Sequence, residues 1–286
     1  MHIKKLYLFC IVSFLSIYLE SSTIERVTYS AWNKADVELL YVLPSEINND
    51  TKVLFIIHGG SRNADKYLSL WLDDAKNKNV ILVAPHFKKE EHPYYQTLGM
   101  STFSGKSIKN EESWLKDSIA RFYSFFKNKH NLSSDNYLIY GFSGGSQFVH
   151  RYLMYGSDRS IEKAAIGSAG WYTFIQNKPY PYGIKNKPLE PGRVEWLMSS
   201  EVLFLLGDKD NDSNHSSLNN SKGAILQGSN RFDRGNNYFN HLIEIGNEFQ
   251  IPLRWRYSVI KDVDHDTKKM TKPAIEFLLK DLEYKN

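Results

Sequence analysis

Residues 137–155 read YLIYGFSGGSQFVHRYLMY, and this stretch decides the fold. The apolar segment YLIYGF (137–142) predicts a buried strand, and the segment SQFVHRYLMY (146–155) predicts a helix. Between them, G-F-S-G-G fits the G-x-S-x-G pattern, in which a serine stands on a tight strand-to-helix turn. The glycines let the two backbones pass closely, and the new helix aims its first N–H groups at the serine. We therefore interpret Ser143 as a candidate nucleophile; the alternative is that Ser143 only caps the helix.

The composition is that of a globular protein. The chain has 286 residues, of which 42% are hydrophobic and 24% charged, and a chain of this length can bury most of its apolar surface without disulfides or metals. These figures exclude the disordered, collagen-like and disulfide-scaffold classes. The formal net charge of +4 is small, and no basic cluster with interleaved aromatic residues indicates a nucleic-acid partner. The single cysteine, Cys10, excludes cysteine-rich zinc sites and intrachain disulfides.

The first 22 residues, MHIKKLYLFCIVSFLSIYLESS, have the pattern of a secretory signal peptide. Lys4 and Lys5 precede an apolar run from Leu6 to Leu19, which is short for a membrane span. An uncleaved N-terminal anchor is the alternative interpretation. We predict a signal peptide over residues 1–22, one domain over residues 23–286, and a secreted or periplasmic location with no membrane span in the mature form.

In the rest of the chain, short apolar runs alternate with helical patterns. Continuous apolar runs are typical of strands buried on both faces, and their alternation with helices predicts an α/β fold with a mostly parallel central sheet and helices on both faces. The first run, VELLYVL, is expected at the edge of the sheet. The predicted strands are 37–43, 53–57, 80–84, 137–142, 164–168, 202–206 and 255–260, and the predicted helices are about 63–77, 112–129, 144–155, 236–249 and 271–283.

A glycine-rich loop, His58-Gly59-Gly60-Ser61, directly follows the predicted strand at 53–57. Acyl transfer needs hydrogen-bond donors where the tetrahedral oxyanion develops, and such a loop at the end of a strand can supply a backbone N–H. We expect the N–H of Gly144 to be the partner donor. His58 is expected to shape the loop rather than to act as a base.

A candidate base follows the last predicted strand, in the segment KDVDHD (261–266). A loop at that place would let His265 reach over Ser143, accept its proton and later deliver that proton to a leaving group. The alternative is that His265 is a solvated histidine among neighbouring charges.

A candidate acid lies in the segment GDKDND (207–212), after another predicted strand. A carboxylate there would hold the imidazole of the base in the correct tautomer. Asp210 is our choice, and Asp208 and Asp212 remain open. The three aspartates also resemble the start of a calcium loop, but serine and asparagine occupy the glycine and glutamate positions that this loop requires. We therefore predict no metal site.

Together, the HGG loop, the GFSGG turn, GDKDND and VDHD resemble the α/β-hydrolase superfamily over nearly the whole chain after the leader. The branch that looks nearest is that of secreted serine esterases akin to poly(3-hydroxybutyrate) depolymerases and feruloyl esterases. The resemblance implies a catalytic triad of Ser143, Asp210 and His265. It also implies that the N–H groups of Gly60 and Gly144 form the oxyanion hole.

The function that this resemblance implies is a secreted serine hydrolase that cleaves small or polymeric carboxylic esters through an acyl-enzyme, with residues 23–286 as the catalytic domain and no cofactor. A serine peptidase of the same fold and a non-catalytic surface or binding protein are the alternatives. The segment SAGWYTF (168–174) resembles a substrate-side loop of such enzymes. This implies that Trp171 and Tyr172 contact the substrate; the alternative is that these rings pack in the core.

Overall fold

Eight strands form one central sheet in the computed structural model, which describes residues 23–284. The predicted signal peptide at 1–22 lies outside the described residues. The strands are β1 (Glu25–Tyr29), β2 (Val37–Val42), β3 (Lys52–Ile57), β4 (Val80–His86), β5 (Tyr137–Phe142), β6 (Ile161–Gly167), β7 (Glu201–Gly207) and β8 (Arg256–Ile260).

The strand order across the sheet is β1-β2-β4-β3-β5-β6-β7-β8. β2 pairs antiparallel with both of its neighbours, and every pairing from β4 to β8 is parallel. β3 lies near the centre, where Leu54 pairs with Leu82 of β4 on one side and with Leu138 of β5 on the other. The predicted mostly parallel sheet is therefore confirmed, and the carboxyl ends of β3, β5, β6, β7 and β8 meet at one edge.

Helices cover both faces of the sheet. They are α1 (Ala64–Ser69), α2 (Leu72–Ala75), α3 (Ser118–His130), α4 (Gly144–Tyr155), α5 (Arg193–Ser199), α6 (Lys222–Ile225), α7 (Arg231–Phe249) and α8 (Thr267–Leu278), with short 3₁₀ turns at Tyr95–Thr97, Glu111–Ser113 and Leu115–Asp117. Of these helices, α3, α4, α5 and α7 pack on one face of the sheet, and α1, α2 and α8 pack on the other. No helix within residues 23–284 is both long and apolar enough to cross a membrane.

The central strands are apolar throughout because each of their faces meets a layer of helices. Val53, Phe55 and Ile57 of β3 point into the hydrophobic cluster under α3 and α4. Leu54 and Ile56, between them in sequence, point into the cluster under α1 and α8. Successive side chains of a strand point to opposite faces of the sheet, and here a layer of helices covers each face. The strand therefore has no exposed side, and its sequence is a continuous apolar run instead of an alternation of apolar and polar residues.

The structure corrects the expected edge position of residues 37–43. β1 pairs with β2 from Glu25 opposite Tyr41 to Tyr29 opposite Val37, so β1 is the edge strand and β2 is internal. Most side chains of β1 are exposed or half-buried. Its sequence, ERVTY, therefore contains no apolar run from which a strand could be predicted.

Helix boundaries differ from the predicted ones where a capping residue sets the start. The side chains of Asn230 and Asp266 accept hydrogen bonds from the backbone N–H groups three residues further on, and so cap α7 and α8. Both helices therefore begin earlier than predicted from the apolar periodicity. The predicted helix at 63–77 is divided into α1 and α2.

The turn between β5 and α4 brings the helix directly against the end of β3. An ideal Cβ at Gly145 would overlap the carbonyl group of Ile57, and one at Gly141 would overlap the backbone of Gly145. Only glycine fits at these two positions, because strand and helix backbones are in contact there. The close approach expected from the G-x-S-x-G pattern is thus present.

A methyl group at Gly145 should destabilise the domain. We expect Gly145→Ala to lower the free energy of unfolding by about 1–3 kcal/mol or more, because neither backbone can move aside without disturbing the sheet. Chemical denaturation followed by circular dichroism measures the change. Ser146→Ala is the matched control, since the buried Ser146 hydroxyl has no hydrogen-bond partner within residues 23–284 and its removal should cost little. A Gly145→Ala protein as stable as the wild type would contradict the contact.

Candidate active site

Ser143 stands at the carboxyl end of β5 in an unusual backbone conformation. Its φ of 56° and ψ of −117° lie in a region that residues other than glycine rarely adopt. The Ser143 N–H donates to the carbonyl of Gly167 at the end of β6 (2.9 Å), and the Ser143 carbonyl accepts from the N–H of Gln147 in α4 (3.1 Å). These two bonds hold the strained turn, and Ser143 is left half-buried at the carboxyl edge of the sheet.

His265 lies on the loop between β8 and α8, above Ser143. Its Nε2 is 2.9 Å from the Ser143 Oγ, and its Nδ1 is 2.7 Å from the Asp210 Oδ2. The loops that follow β7 and β8 are in contact, because an ideal Cβ at Gly207 would overlap the carbonyl of Val263. The structure therefore brings the predicted nucleophile, base and acid into one hydrogen-bonded chain.

Of the three aspartates in the acidic loop, Asp210 is the one that reaches the imidazole. Its carboxylate is almost completely buried. Asp212 is exposed and accepts a hydrogen bond from the backbone N–H of Asn214 instead. Among the described residues, Asp208 likewise forms no bond to the imidazole. The geometry thus agrees with the choice of Asp210 over its two neighbours.

A buried arginine contacts the other oxygen of the same carboxylate. The Arg231 Nη1 lies 3.3 Å from the Asp210 Oδ1, and the Arg231 Nη2 donates to the Ser217 Oγ (2.7 Å). Arg231 is the first residue of α7, whose start is fixed by its Asn230 cap. The guanidinium and the imidazole therefore hold Asp210 from two sides.

The charges at the site set the protonation state of its members. Burial alone would raise the pKa of Asp210, but the hydrogen bond and charge of His265 and the charge of Arg231 together lower the pKa. Burial lowers the pKa of His265 below its ordinary value, and the charges of Arg231 and His215 lower it further, against the opposing effect of Asp210. At neutral pH, Asp210 is therefore ionised and His265 is neutral, with Nδ1–H donating to Asp210 and Nε2 ready to accept a proton from Ser143.

Two glycine backbones meet beside the serine. Gly60 follows β3 and Gly144 opens α4. An ideal Cβ at Gly144 would lie 2.7 Å from the Gly60 nitrogen, 2.7 Å from the Gln96 Nε2 and 2.8 Å from the Tyr95 Oη. The predicted donor loop and the first residue of α4 are therefore adjacent, and this crowding leaves no room for a side chain at position 144.

His58 shapes the glycine-rich loop from inside. Its Nδ1–H donates to the carbonyl of Gly59 (2.9 Å), and its Nε2 accepts from the N–H of Phe87 (3.1 Å). The Tyr95 hydroxyl donates to the carbonyl of His58 (2.8 Å). Burial lowers the pKa of His58 to about 3, so the ring stays neutral and structural. This agrees with the expectation that His58 is not the base.

The structure corrects the predicted substrate contacts of Trp171 and Tyr172. Tyr172 is fully buried, its ring stacks on Tyr238 at 4.5 Å, and its backbone forms two hydrogen bonds with the Gln227 side chain. Trp171 is also buried, beneath the Arg151 guanidinium, which lies 4.3 Å from its ring centroid. Neither ring can touch a substrate in this arrangement, so both support the loop instead. The alternative interpretation, packing in the core, is the one that the structure shows.

His150, on the helix that follows Ser143, is structural. His150 is buried in α4, where its Nδ1–H donates to the carbonyl of Ser146 (2.8 Å) and its Nε2 accepts from the N–H of Thr173 (3.1 Å). Within residues 23–284, no group of three or more His, Cys, Asp and Glu side chains is arranged to hold a metal ion.

Two residues at the site were not predicted from the sequence. Arg231 contacts Asp210 across 21 residues of chain, and Gln96 reaches Gly144 from a 3₁₀ turn. Neither residue stands in a recognisable motif. A fully buried arginine beside a buried carboxylate is evident only once the loops have been folded together.

Comparison with known proteins gives structural neighbours only: the sequence matches no family model and no curated protein. Poly(aspartic acid) hydrolase-1 from Sphingomonas sp. KT-1 superposes with a TM-score of 0.82 at 27% identity, over 90% of this chain and 98% of that chain. A poly(3-hydroxybutyrate) depolymerase from Bordetella parapertussis gives a TM-score of 0.82 at 21% identity, over 93% of this chain and 92% of that one. A ferulic acid esterase gives 0.52 at 15% identity, over 90% and 96%.

The electrostatic arrangement predicts how His265 titrates. We expect the His265 imidazole to titrate below the ordinary pKa of histidine, and Arg231→Met to raise its pKa, because the variant removes a positive charge that opposes protonation of the ring. NMR of the imidazole as a function of pH measures both values. Lys209→Met is the matched control, since Lys209 is an exposed cation on the acidic loop. A pKa of His265 that is unchanged or lower in Arg231→Met would contradict the proposed effect of the Arg231 charge on the imidazole.

Proposed function

We propose that this chain, whose sheet topology and structural neighbours show the α/β-hydrolase fold, is a serine hydrolase that cleaves carboxylic esters through an acyl-enzyme. The observation that carries the proposal is the continuous hydrogen-bonded chain from Ser143 through His265 to Asp210. It lies beside two adjacent glycine backbones at the carboxyl edge of the sheet. The names of the three neighbours described above, a hydrolase, a depolymerase and an esterase, support the reaction class.

In the first half of the reaction, the Ser143 Oγ attacks the ester carbonyl carbon and its proton passes to the His265 Nε2. The electron pair of the C=O bond moves to the oxygen, which becomes an oxyanion. Collapse of this intermediate breaks the bond to the alcohol oxygen, which takes the proton from His265 and leaves. The acyl group remains bonded to Ser143.

Water completes the cycle by the same route. His265 removes a proton from water as the water oxygen attacks the acyl carbon, and the second tetrahedral intermediate collapses by expelling the Ser143 Oγ. The serine recovers its proton from His265, and the carboxylic acid product leaves. Asp210 keeps its charge throughout and stabilises the imidazolium that forms twice in each cycle.

The N–H groups of Gly60 and Gly144 would stabilise both intermediates. The carbonyl oxygen gains negative charge only as the tetrahedral centre forms, so donors fixed at its position bind the transition state more strongly than the substrate. The N-terminus of α4 adds the positive end of its dipole at the same place. Gly144 leaves the space in front of these donors open, since any side chain there would meet Gly60 and Gln96.

Hydrolysis of an anionic polyamide is the second candidate. A poly(aspartic acid) hydrolase is among the structural neighbours. Arg151, Arg231 and Arg234 are buried, Arg151 against the Gln96 carbonyl and Arg231 against Asp210, whereas Asp210 is the one buried carboxylate in the described part of the chain. This excess of positive charge would favour a polyanion. Turnover of oligo-aspartate that exceeds turnover of uncharged nitrophenyl esters would favour this candidate over the esterase; an uncharged dipeptide amide controls for general amidase activity.

Substitutions in the triad should abolish turnover of small nitrophenyl esters. We expect Ser143→Ala and Asp210→Asn each to lower kcat by about 10⁴-fold or more, because the three residues act as a unit. Ser146→Ala and Asp212→Asn are the matched controls, since neither side chain reaches the triad. Steady-state kinetics on variants with wild-type circular dichroism spectra provide the measurement. Turnover retained by Ser143→Ala would overturn the proposed function.

We also propose that residues 1–22 direct export and are removed, which leaves the catalytic domain outside the cytoplasm. The charged start and the apolar run of the leader support this proposal. N-terminal sequencing of protein recovered from the culture medium or periplasm tests it. We expect a new N-terminus close to residue 23; a chain that still begins at Met1 and sediments with membranes would contradict it.

A further inference from the structure

Gln96 has a side-chain amide next to the two glycine backbones beside Ser143. A Cβ built on Gly144 would lie 2.7 Å from the Gln96 Nε2, the same distance as from the Gly60 nitrogen. A Cβ built on Gly60 would lie 3.8 Å from the Gln96 Nε2. The side-chain amide of Gln96 and the backbone amides of Gly60 and Gly144 therefore lie around the same small space beside Ser143.

The turn that carries Gln96 is anchored to α4 by a buried arginine. The Arg151 Nη1 donates to the carbonyl of Gln96 (2.8 Å) and to that of Gln147 (3.0 Å), and the Arg151 Nε donates to the Thr173 Oγ1 (2.9 Å). Arg151 is fully buried, and the ring of Trp171 covers its guanidinium. Since α4 begins at Gly144, this anchor fixes the backbone of Gln96 relative to the two glycines without any contribution from the substrate.

The Gln96 amide is available to donate. Within residues 23–284, its side chain forms no hydrogen bond to a protein acceptor, and the residue is half-buried. The neighbouring Tyr95 hydroxyl already donates its one hydrogen to the carbonyl of His58. Of the side chains around this volume, Gln96 therefore presents the unused N–H groups.

We propose that the side-chain amide of Gln96 is a third donor of the oxyanion hole, in addition to the N–H groups of Gly60 and Gly144. This inference rests on the proposed function, because it requires an oxyanion to form at Ser143. A neutral amide keeps its hydrogens at every pH at which the enzyme works, and a fixed donor is most effective where charge develops. Gln96 is thus a catalytic residue that no sequence motif marks.

Two substitutions test the donor. Gln96→Leu removes the N–H groups, and we expect kcat on a short nitrophenyl ester to fall about 10²-fold, the typical loss for one oxyanion donor. KM should change little, because the donor acts on the transition state. Gln96→Glu has nearly the same shape but places a negative oxygen at the oxyanion, so its kcat should fall further than that of the leucine variant.

Affinity for a transition-state mimic separates this role from substrate positioning. A trifluoromethyl ketone adds to Ser143: the Oγ–carbon bond forms, the carbonyl electron pair becomes an oxyanion, and the serine proton passes to His265. Its inhibition constant should rise by the same factor as kcat/KM falls in each Gln96 variant. Gln176→Leu, at a half-buried glutamine without a described side-chain hydrogen bond, is the matched control and should resemble the wild type.

The kinetics and ketone affinity of the Gln96 variants decide whether Gln96 donates to the oxyanion. The donor role of Gln96 is overturned if Gln96→Leu has the kcat of the wild type. It is also overturned if Gln96→Leu changes KM while the affinity for the ketone stays unchanged. If Gln96→Leu does not fold, the near-isosteric Gln96→Glu provides the same comparison, and a kcat equal to that of the wild type overturns it equally. Failure of the proposed function is distinguishable, because wild-type protein would then not hydrolyse the ester, or Ser143→Ala would still do so.

Discussion

The backbone contact between the start of α4 and the end of β3 determines the geometry of the site. Gly145 lies against the carbonyl of Ile57 with no space for a Cβ. This contact forces the chain to reverse sharply after β5, which holds Ser143 in its strained conformation above the sheet. It also brings the first residue of α4 next to the loop after β3, so that Gly60 and Gly144 face one another. The strained backbone at Ser143 and the adjacency of Gly60 and Gly144 are two results of one packing constraint.

The second half of the site depends on a similar contact between loops. Gly207 lies against Val263, and this brings the loops after β7 and β8 together. Asp210 then meets His265, while Arg231 at the start of α7 contacts the carboxylate from the opposite side. Burial would otherwise favour the neutral acid, so the two partners are what keep Asp210 ionised. Burial lowers the pKa of His265, and the charge of the same arginine lowers it further, which favours the neutral imidazole that a base requires.

The parts of this arrangement that could be predicted are those with a local cause. An apolar strand, a glycine-flanked serine and a helix identify the turn at 141–145 because the required backbone geometry is encoded within a few residues. His265 and Asp210 were predicted from their places after strands, since parallel strands bring such loops to one edge. Gln96 and Arg231 contact the site through long-range packing that leaves no local pattern. The resemblance of SAGWYTF to a substrate-side loop implies substrate contacts for Trp171 and Tyr172, but both rings are buried; a short segment does not tell which face of its loop is covered.

We propose that the chain of hydrogen bonds to His265 and Asp210 activates Ser143 as a nucleophile. A fluorophosphonate probe reports this activation, because an activated serine displaces fluoride to form an Oγ–phosphorus bond. Peptide mapping by mass spectrometry should find one adduct, on Ser143, and labelling should be lost in His265→Ala. A protein that is not labelled, or that is labelled at another serine, would contradict the account.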